Sequence, residues 1–230
     1  PSHKGDIKVI DKTSSMGVGT DTINSSLLAL CNTAKKRIII QNPYVVLTDS
    51  LKAGLQDAGK RGVEIWLGTN SPSSSDSALT QAFFLKDWSN HLATIPNLHI
   101  FVPTGDRKLH AKTAVVDDSV TMVGTFNMDF ISQKTNSEVA TVTWSPELAH
   151  QITQGYIADA GDSRNGLVEY RILRNDSGQP IRSDGLPVLD DNGNLLNSPE
   201  PVFGPEDHLT PGKLRTYKYI CAATEWLRKH

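Results

Sequence analysis

Between Asp21 and Val102 the chain alternates at short intervals between stretches with helical spacing and short β-branched runs. Few folds accept that rhythm. Asp21 or Thr22 caps a helix running to about Lys36. Arg37-Ile38-Ile39-Ile40-Gln41 is a buried strand, ended by Asn42-Pro43-Tyr44. A second helix spans Asp49 to Lys60 and closes on Gly62, and Val63 to Leu67 is the next strand. A serine-rich loop surrounds Pro72. Helical spacing of Leu79, Phe83, Leu85 and Leu92 follows, and Leu98 to Val102 is another strand. The expected fold class is α/β, a mixed β-sheet flanked by helices on both faces.

The ends of the chain read differently. Residues 1–20 hold few apolar side chains and are expected to be an N-terminal segment or linker, with Met16 to Thr20 as a loop. Residues 21–160 are expected to form the main lobe. Pro146 to about Ala160 reads as a helix. Residues 161–230 are expected to add an irregular extension to the same domain, with a C-terminal helix near Tyr217 to Leu227. Asp176-Ser177-Gly178, Ser183-Asp184-Gly185 and Asp191-Asn192-Gly193 are turn signals there. No internal repeat is expected.

Composition narrows the function classes. The formal charge of -2 and pI near 6.4 weigh against a dedicated nucleic-acid binder, which is usually basic. The two cysteines, Cys31 and Cys221, make neither a disulfide scaffold nor a zinc site and are read as structural thiols. No run of about 18 apolar residues is long enough for a membrane-spanning helix. No signal peptide is visible. The start at Pro1 points to a processed protein or a fragment, and the compartment stays open.

The segment from Leu109 to Val142 carries the chemistry. On a strand, His110 and Lys112 face the same way. If Asp118-Ser119 forms a two-residue hairpin loop, Asp117 stands opposite Val120, His110 opposite Asn127, and Lys112 opposite Thr125. One face then presents an imidazole, an ammonium, a hydroxyl and a carboxamide. Asp117 has the other parity and a structural role. Such a set suits phosphoryl transfer. The imidazole attacks phosphorus, and Lys112 and Asn127, with Thr125 in support, stabilise charge on the non-bridging oxygens. Gly124 clears space where substrate or backbone comes close. No metal or cofactor is required. A nucleophilic imidazole needs one fixed tautomer, and Glu138 is the candidate acceptor for its other nitrogen.

His110, Lys112, Asp117, Gly124, Thr125 and Asn127 match the pattern HxKxxxxDxxxxxxG(S/T)xN. In this the chain resembles the phospholipase D superfamily, the HKD enzymes. The downstream acid fits Glu138. The strand and Pro-Tyr turn of Ile39 to Tyr44, with Arg61 to Ile65 and Thr69 to Asp76, look like the second half of two-motif, cardiolipin-synthase-like members. The resemblance covers roughly residues 21 to 160. It implies a phospholipase D-like lobe acting through a phosphohistidine. It also implies a paired active site in which a second histidine protonates the leaving alcohol. This chain has one such motif, so the expected partner is a second HKD lobe, either a missing N-terminal half or another copy in a homodimer. Thr125 replaces the more usual serine and keeps the hydroxyl.

Three functions compete: a phosphodiesterase or phosphatidyltransferase acting on phospholipid, a single-motif homodimeric nuclease, and an inactive lobe. Nucleic acid is the less favoured substrate. Tyr44, Arg107 and Lys108 are candidate substrate contacts, with core packing for Tyr44 and a solvated turn for the two cations as the plain alternatives. Asp129 is expected to cap a helix. Phe83, Phe84 and Trp88 are expected to pack, with a peripheral membrane contact as the alternative for any that are exposed. The other histidines carry no motif.

Overall fold

The structure is a computed structural model that describes residues 5–13, 21–103, 107–161 and 166–226. The expected loop Met16 to Thr20 lies outside those residues, as do His3 and His230. In chain order the elements are β1 (Asp6–Lys12), α1 (Thr22–Thr33), β2 (Arg37–Gln41), α2 (Asp49–Lys60), β3 (Glu64–Gly68), α3 (Ala78–Thr94), β4 (Leu98–Pro103), β5 (Thr113–Val116) and β6 (Val120–Gly124). Then come α4 (Phe130–Lys134), β7 (Glu138–Trp144), α5 (Pro146–Gly161), β8 (Leu167–Ile172), β9 (Pro201–Phe203) and α6 (Pro211–Thr224).

Local chemistry accounts for the helix starts. The side chains of Asp21, Thr48, Ser77 and Asp129 each accept a hydrogen bond from a first-turn amide of α1, α2, α3 and α4. Gly62 takes φ +86 just past α2, the left-handed stop that glycine adopts without steric cost.

The strands form one mixed nine-stranded sheet in the order β1-β7-β6-β5-β2-β3-β4-β8-β9. Its parallel centre is β2–β3–β4, and the remaining pairs are antiparallel. Ile38 and Ile40 turn to the face covered by α1, α2 and α3, where they join Leu27, Leu55 and Trp88 in the main core. Ile39 turns the other way and packs with Val115 under Ala149 and Tyr156 of α5. The all-apolar run of β2 thus reflects burial on both faces. α6 lies on α3, with Cys221 against Ala82 and Phe83. Phe83, Phe84 and Trp88 are buried, so none is available to a membrane surface. Cys31 and Cys221 are both buried.

Two expectations need correction. Residues 6–12 are not linker: they pair in register with all of β7, from Asp6 opposite Trp144 to Lys12 opposite Glu138. Ile10 and Lys12 turn inward, while Ile7 and Val9 remain exposed, which is why the segment carries so few apolar residues for a strand. The extension does contain a repeat. Arg174–Pro180 and Leu189–Leu195 are bridged hairpins whose first turn residues, Asn175 and Asp190, are fifteen positions apart. Each of these side chains accepts from the amides two and four residues on. Gly178 and Gly193 occupy the same left-handed position in the two turns, at φ +78 and +80. The repeat escapes notice because only the turn residues, not the flanking ones, are alike.

Candidate active site

The site lies where β2, β3 and β6 end and β5 and β7 begin. The carboxyl ends of parallel strands are where α/β sheets place ligand sites. The β5–β6 hairpin differs from expectation by one residue. Val116, not Asp117, pairs with Val120, so Asp117, Asp118 and Ser119 form a three-residue turn. Asp117 and Asp118 sit at φ +53 and +51, positions that Asp tolerates better than most side chains. Lys112 consequently lies opposite Gly124 and not Thr125, and the Gly124 amide donates to the Lys112 carbonyl at 3.1 Å. Asp117 is structural, and its role is specific. Its carboxylate accepts from the backbone amides of Lys35, Lys36 and Arg37, tying the turn to the entry of β2.

His110 and Lys112 do meet. His110 Nε2 lies 3.2 Å from Lys112 Nζ, and the ammonium also donates to the His110 carbonyl at 3.2 Å. An ammonium has only donors, so it bonds to Nε2 in the tautomer that carries the ring proton on Nδ1. His110 is exposed and Lys112 half-buried. Burial pulls the Lys112 ammonium below the ordinary lysine value, against the charges of Glu138, Asp76 and Asp129, which hold it up.

Glu138 is buried, and its partners are Thr125 and Asn136, not His110. The Thr125 hydroxyl donates to Oε2 and the Asn136 amide to Oε1. The one-residue register change explains the difference: Thr125 sits beside β7, where its amide donates to Val139 O at 2.9 Å, and its hydroxyl is next to Glu138. Gly124 meets a backbone requirement, because a Cβ there would stand 2.4 Å from Val139 O.

Two buried asparagines hold the loops that carry the motif. Asn42 Nδ2 donates to Phe126 O at 3.0 Å, and its Oδ1 accepts from Met128 N at 3.1 Å, so one carboxamide grips the chain on both sides of Asn127. Asn70 does the same for Leu109, accepting from its amide at 2.8 Å and donating to its carbonyl at 2.9 Å, one residue before His110. Asn127 is half-buried, and its Oδ1 is buried without a hydrogen-bond partner. Asp129 caps α4 through Ser132 N at 2.8 Å, and burial raises its carboxyl above the usual range.

Tyr44 is half-buried and donates to Asp76; burial, together with that contact, pushes its phenol up to about 12. Asp76 is in turn held below the usual carboxylate range by that hydrogen bond, with Lys108 and His110 as further causes, so it faces the site. Arg107 pairs with Asp159 at 2.7 Å. The sequence reading passed over Asn42, Asn70, Asp76 and Lys12. Lys12 is buried opposite Glu138 and donates to Asn136 O at 2.9 Å. For Asp76 a signal existed, since it closes the loop after a parallel strand. Lys12 could not be seen once its segment was read as linker.

A family profile described as "Cardiolipin synthase, PLD-like domain" matches residues 27–159. The cardiolipin synthase of Listeria monocytogenes is 28% identical over 138 residues, which are 60% of this chain and 27% of the relative. The major cardiolipin synthase ClsA of Bacillus subtilis is 27% identical over 171 residues, 74% of this chain and 34% of the relative. The chain therefore spans about a third or less of the length of these curated relatives. Among solved structures, Nuc of Salmonella typhimurium, a phospholipase D family member, superposes with a TM-score of 0.54 at 19% identity, covering 73% of this chain and 99% of Nuc. The phosphatidylserine synthase of Haemophilus influenzae superposes with a TM-score of 0.55 at 14% identity, covering 73% of this chain and 41% of that one. Both likenesses concern the fold.

Proposed function

The chain belongs to the phospholipase D superfamily, in its cardiolipin-synthase-like branch, and from that premise we propose that it supplies one half of a phosphatidyltransferase or phosphodiesterase site in which His110 is the nucleophile. The observation that carries this reading is the 3.2 Å contact between Lys112 Nζ and His110 Nε2. On substrate binding the ammonium moves from that nitrogen to a non-bridging phosphate oxygen. Nε2 is then free to attack phosphorus. The P–N bond forms as the bond to the alcohol breaks, and a second histidine, from another lobe, protonates the departing alkoxide. Water or an acceptor alcohol next displaces the imidazole from phosphorus and loses its proton to that second histidine. Lys112 and Asn127 stabilise the oxyanion charge at both steps. Glu138 acts through Thr125 and the field it exerts on Lys112. Asn42 and Asn70 keep the two motif loops in place.

Two observations support a second lobe. The chain covers only 27% and 34% of the cardiolipin synthases it resembles. The sheet face beside Thr125 also leaves Ile7, Val9, Val123 and Val139 at 66%, 64%, 40% and 44% exposure. An exposed β-branched surface next to a one-histidine motif is where a completing lobe fits.

A second reading, a homodimer that cuts nucleic acid, draws on one fact: the superposition covers 99% of Nuc, so this fold occurs as a chain with no second lobe.

The test is turnover of bis-p-nitrophenyl phosphate, phosphatidylglycerol vesicles and an oligonucleotide, with His110→Ala alongside and mass measured by scattering. Lipid turnover lost in the variant supports the proposal. Oligonucleotide cleavage with lipid untouched replaces it with the second reading. Two imidazoles of opposite protonation also require a bell-shaped rate profile. A flat profile between about pH 5 and 9 excludes the paired mechanism.

A further inference from the structure

A cavity of about 720 Å³ lies at the amino ends of the parallel strands, the opposite end of the sheet from His110. β4 starts there at Leu98, and β8, antiparallel to it, ends there at Ile172. A strand of 5 residues such as β3 sets the two ends roughly 15–20 Å apart. The size falls within the roughly 300–1,000 Å³ of pockets that enclose drug-sized ligands. The two repeated turns of the extension close it, one through Ser177 to Gln179 and the other through Asn192 to Asn194.

The charge of this cavity is opposite to that of the chain. Lys60, Arg171 and Arg174 line it against one carboxylate, Glu169, whereas the whole chain carries -2. Glu169 is already engaged by His99 Nδ1 at 2.7 Å. Arg174 is fixed by two carbonyls, with Nη1 donating to Gly178 O and Nη2 to Leu92 O, each at 2.7 Å. Those bonds tie the first turn to the end of α3 and neutralise no charge. Among the described residues, neither Arg171 nor Arg174 has a carboxylate within 4 Å. A cleft with an excess of cations concentrates anions, and the guanidinium fork matches phosphate oxygens.

The turns add neutral donors. The amides of Ser177, Gln179, Asn192 and Asn194 already donate to Asn175 and Asp190. The carboxamides of Gln179 and Asn192 have no hydrogen-bond partner among the described residues, so both remain available to a ligand.

We propose that this cavity is a second binding site, separate from the catalytic one, for a phosphorylated small molecule with a hydroxylated body, a sugar phosphate or a nucleotide. Its phosphate takes Arg171 and Arg174, and its body bonds to the carboxamides of Gln179 and Asn192. No part of this depends on the role of His110.

The test follows backbone amides of the full chain by NMR while glucose 6-phosphate, AMP and inorganic phosphate are titrated separately. Gly178 and Gly193 report this cavity, and the amides beside His110 report the catalytic end. At Gly178 and Gly193, glucose 6-phosphate or AMP should saturate at about 10-fold lower concentration than inorganic phosphate, a difference of about 1.4 kcal/mol. The tighter of the two identifies the body. Arg171→Ala, at an exposed side chain, should weaken that binding about 10-fold. Lys60→Ala should weaken it roughly 3-fold and serves if Arg171→Ala fails to fold. His110→Ala should leave it unchanged. Equal saturation by all three ligands, no movement of Gly178 and Gly193, wild-type binding by a folded Arg171→Ala or Lys60→Ala chain, or a loss of binding in His110→Ala overturns the proposal.

Discussion

The loops around the motif and the loops of the extension are built on opposite plans. Phe126 and Met128 are held by Asn42, more than eighty residues away, and Leu109 by Asn70, thirty-nine residues away. The hairpin turns of the extension are held from within, by Asn175 for one and Asp190 for the other. The distant clamps are buried, whereas Asn175 is exposed and Asp190 half-buried. A buried polar clamp leaves orphaned backbone groups when it is removed, whereas an exposed one is replaced by water. The motif loops are therefore held by long-range polar contacts, and the two turns of the extension by their own first side chains.

The largest expected effect follows from that contrast. Asn42→Ala orphans Phe126 O and Met128 N, so we expect a loss of about 2–4 kcal/mol in urea melts. Turnover of the assembled enzyme should fall about 100-fold, because Asn127 loses its position. An Asn42→Ala chain as stable and active as wild type would erase the distinction between the two kinds of loop. Next is Gly124→Ala. Its Cβ meets Val139 O at 2.4 Å, so β6 and β7 must part, at a cost of about 1–3 kcal/mol seen as a lower unfolding midpoint. Asn175→Ala or Asp190→Ala should cost only about 0.5–1 kcal/mol and leave turnover unchanged. A drop in turnover from either would show that the extension shapes the site.

The smallest effect is a dependence on pH. The hydrogen bond that His99 Nδ1 donates to Glu169, at 2.7 Å, raises His99 above the ordinary histidine value, against burial, which lowers it. A histidine pKa higher in the folded chain than in the unfolded one adds stability that is complete below about pH 6.5 and lost as pH rises through the folded value. The pair is half-exposed, so the contribution stays under about 1 kcal/mol. In a chain this size that corresponds to a melting point falling by no more than about 2–4 °C toward pH 8. Glu169→Gln should flatten the slope, and a slope that survives it would place its origin elsewhere.

What was legible followed the range of the forces involved. Arg37–Gln41 and Asp49–Lys60 were read at their observed bounds, since their β-branched run, their caps and Gly62 act within a few residues. His110 and Lys112 were read onto one face and do meet, whereas Glu138 was read beside His110 and lies on Thr125. Register hangs on turn length, and nothing local announces that both Asp117 and Asp118 adopt positive φ. The edge strand β1 was missed because half of it faces solvent and its partner, β7, lies more than a hundred residues on.

The sequence alone determined the class of fold, the helix and strand order through its central part, and the chemistry that His110 and Lys112 can perform, because periodicity, capping and side-chain type are local properties. Tertiary structure alone decided which side chains those residues meet. It placed Glu138 on Thr125, the ammonium of Lys112 on the nitrogen of His110, and two asparagines beneath the motif loops. It did so because packing and register depend on groups brought together from distant parts of the chain.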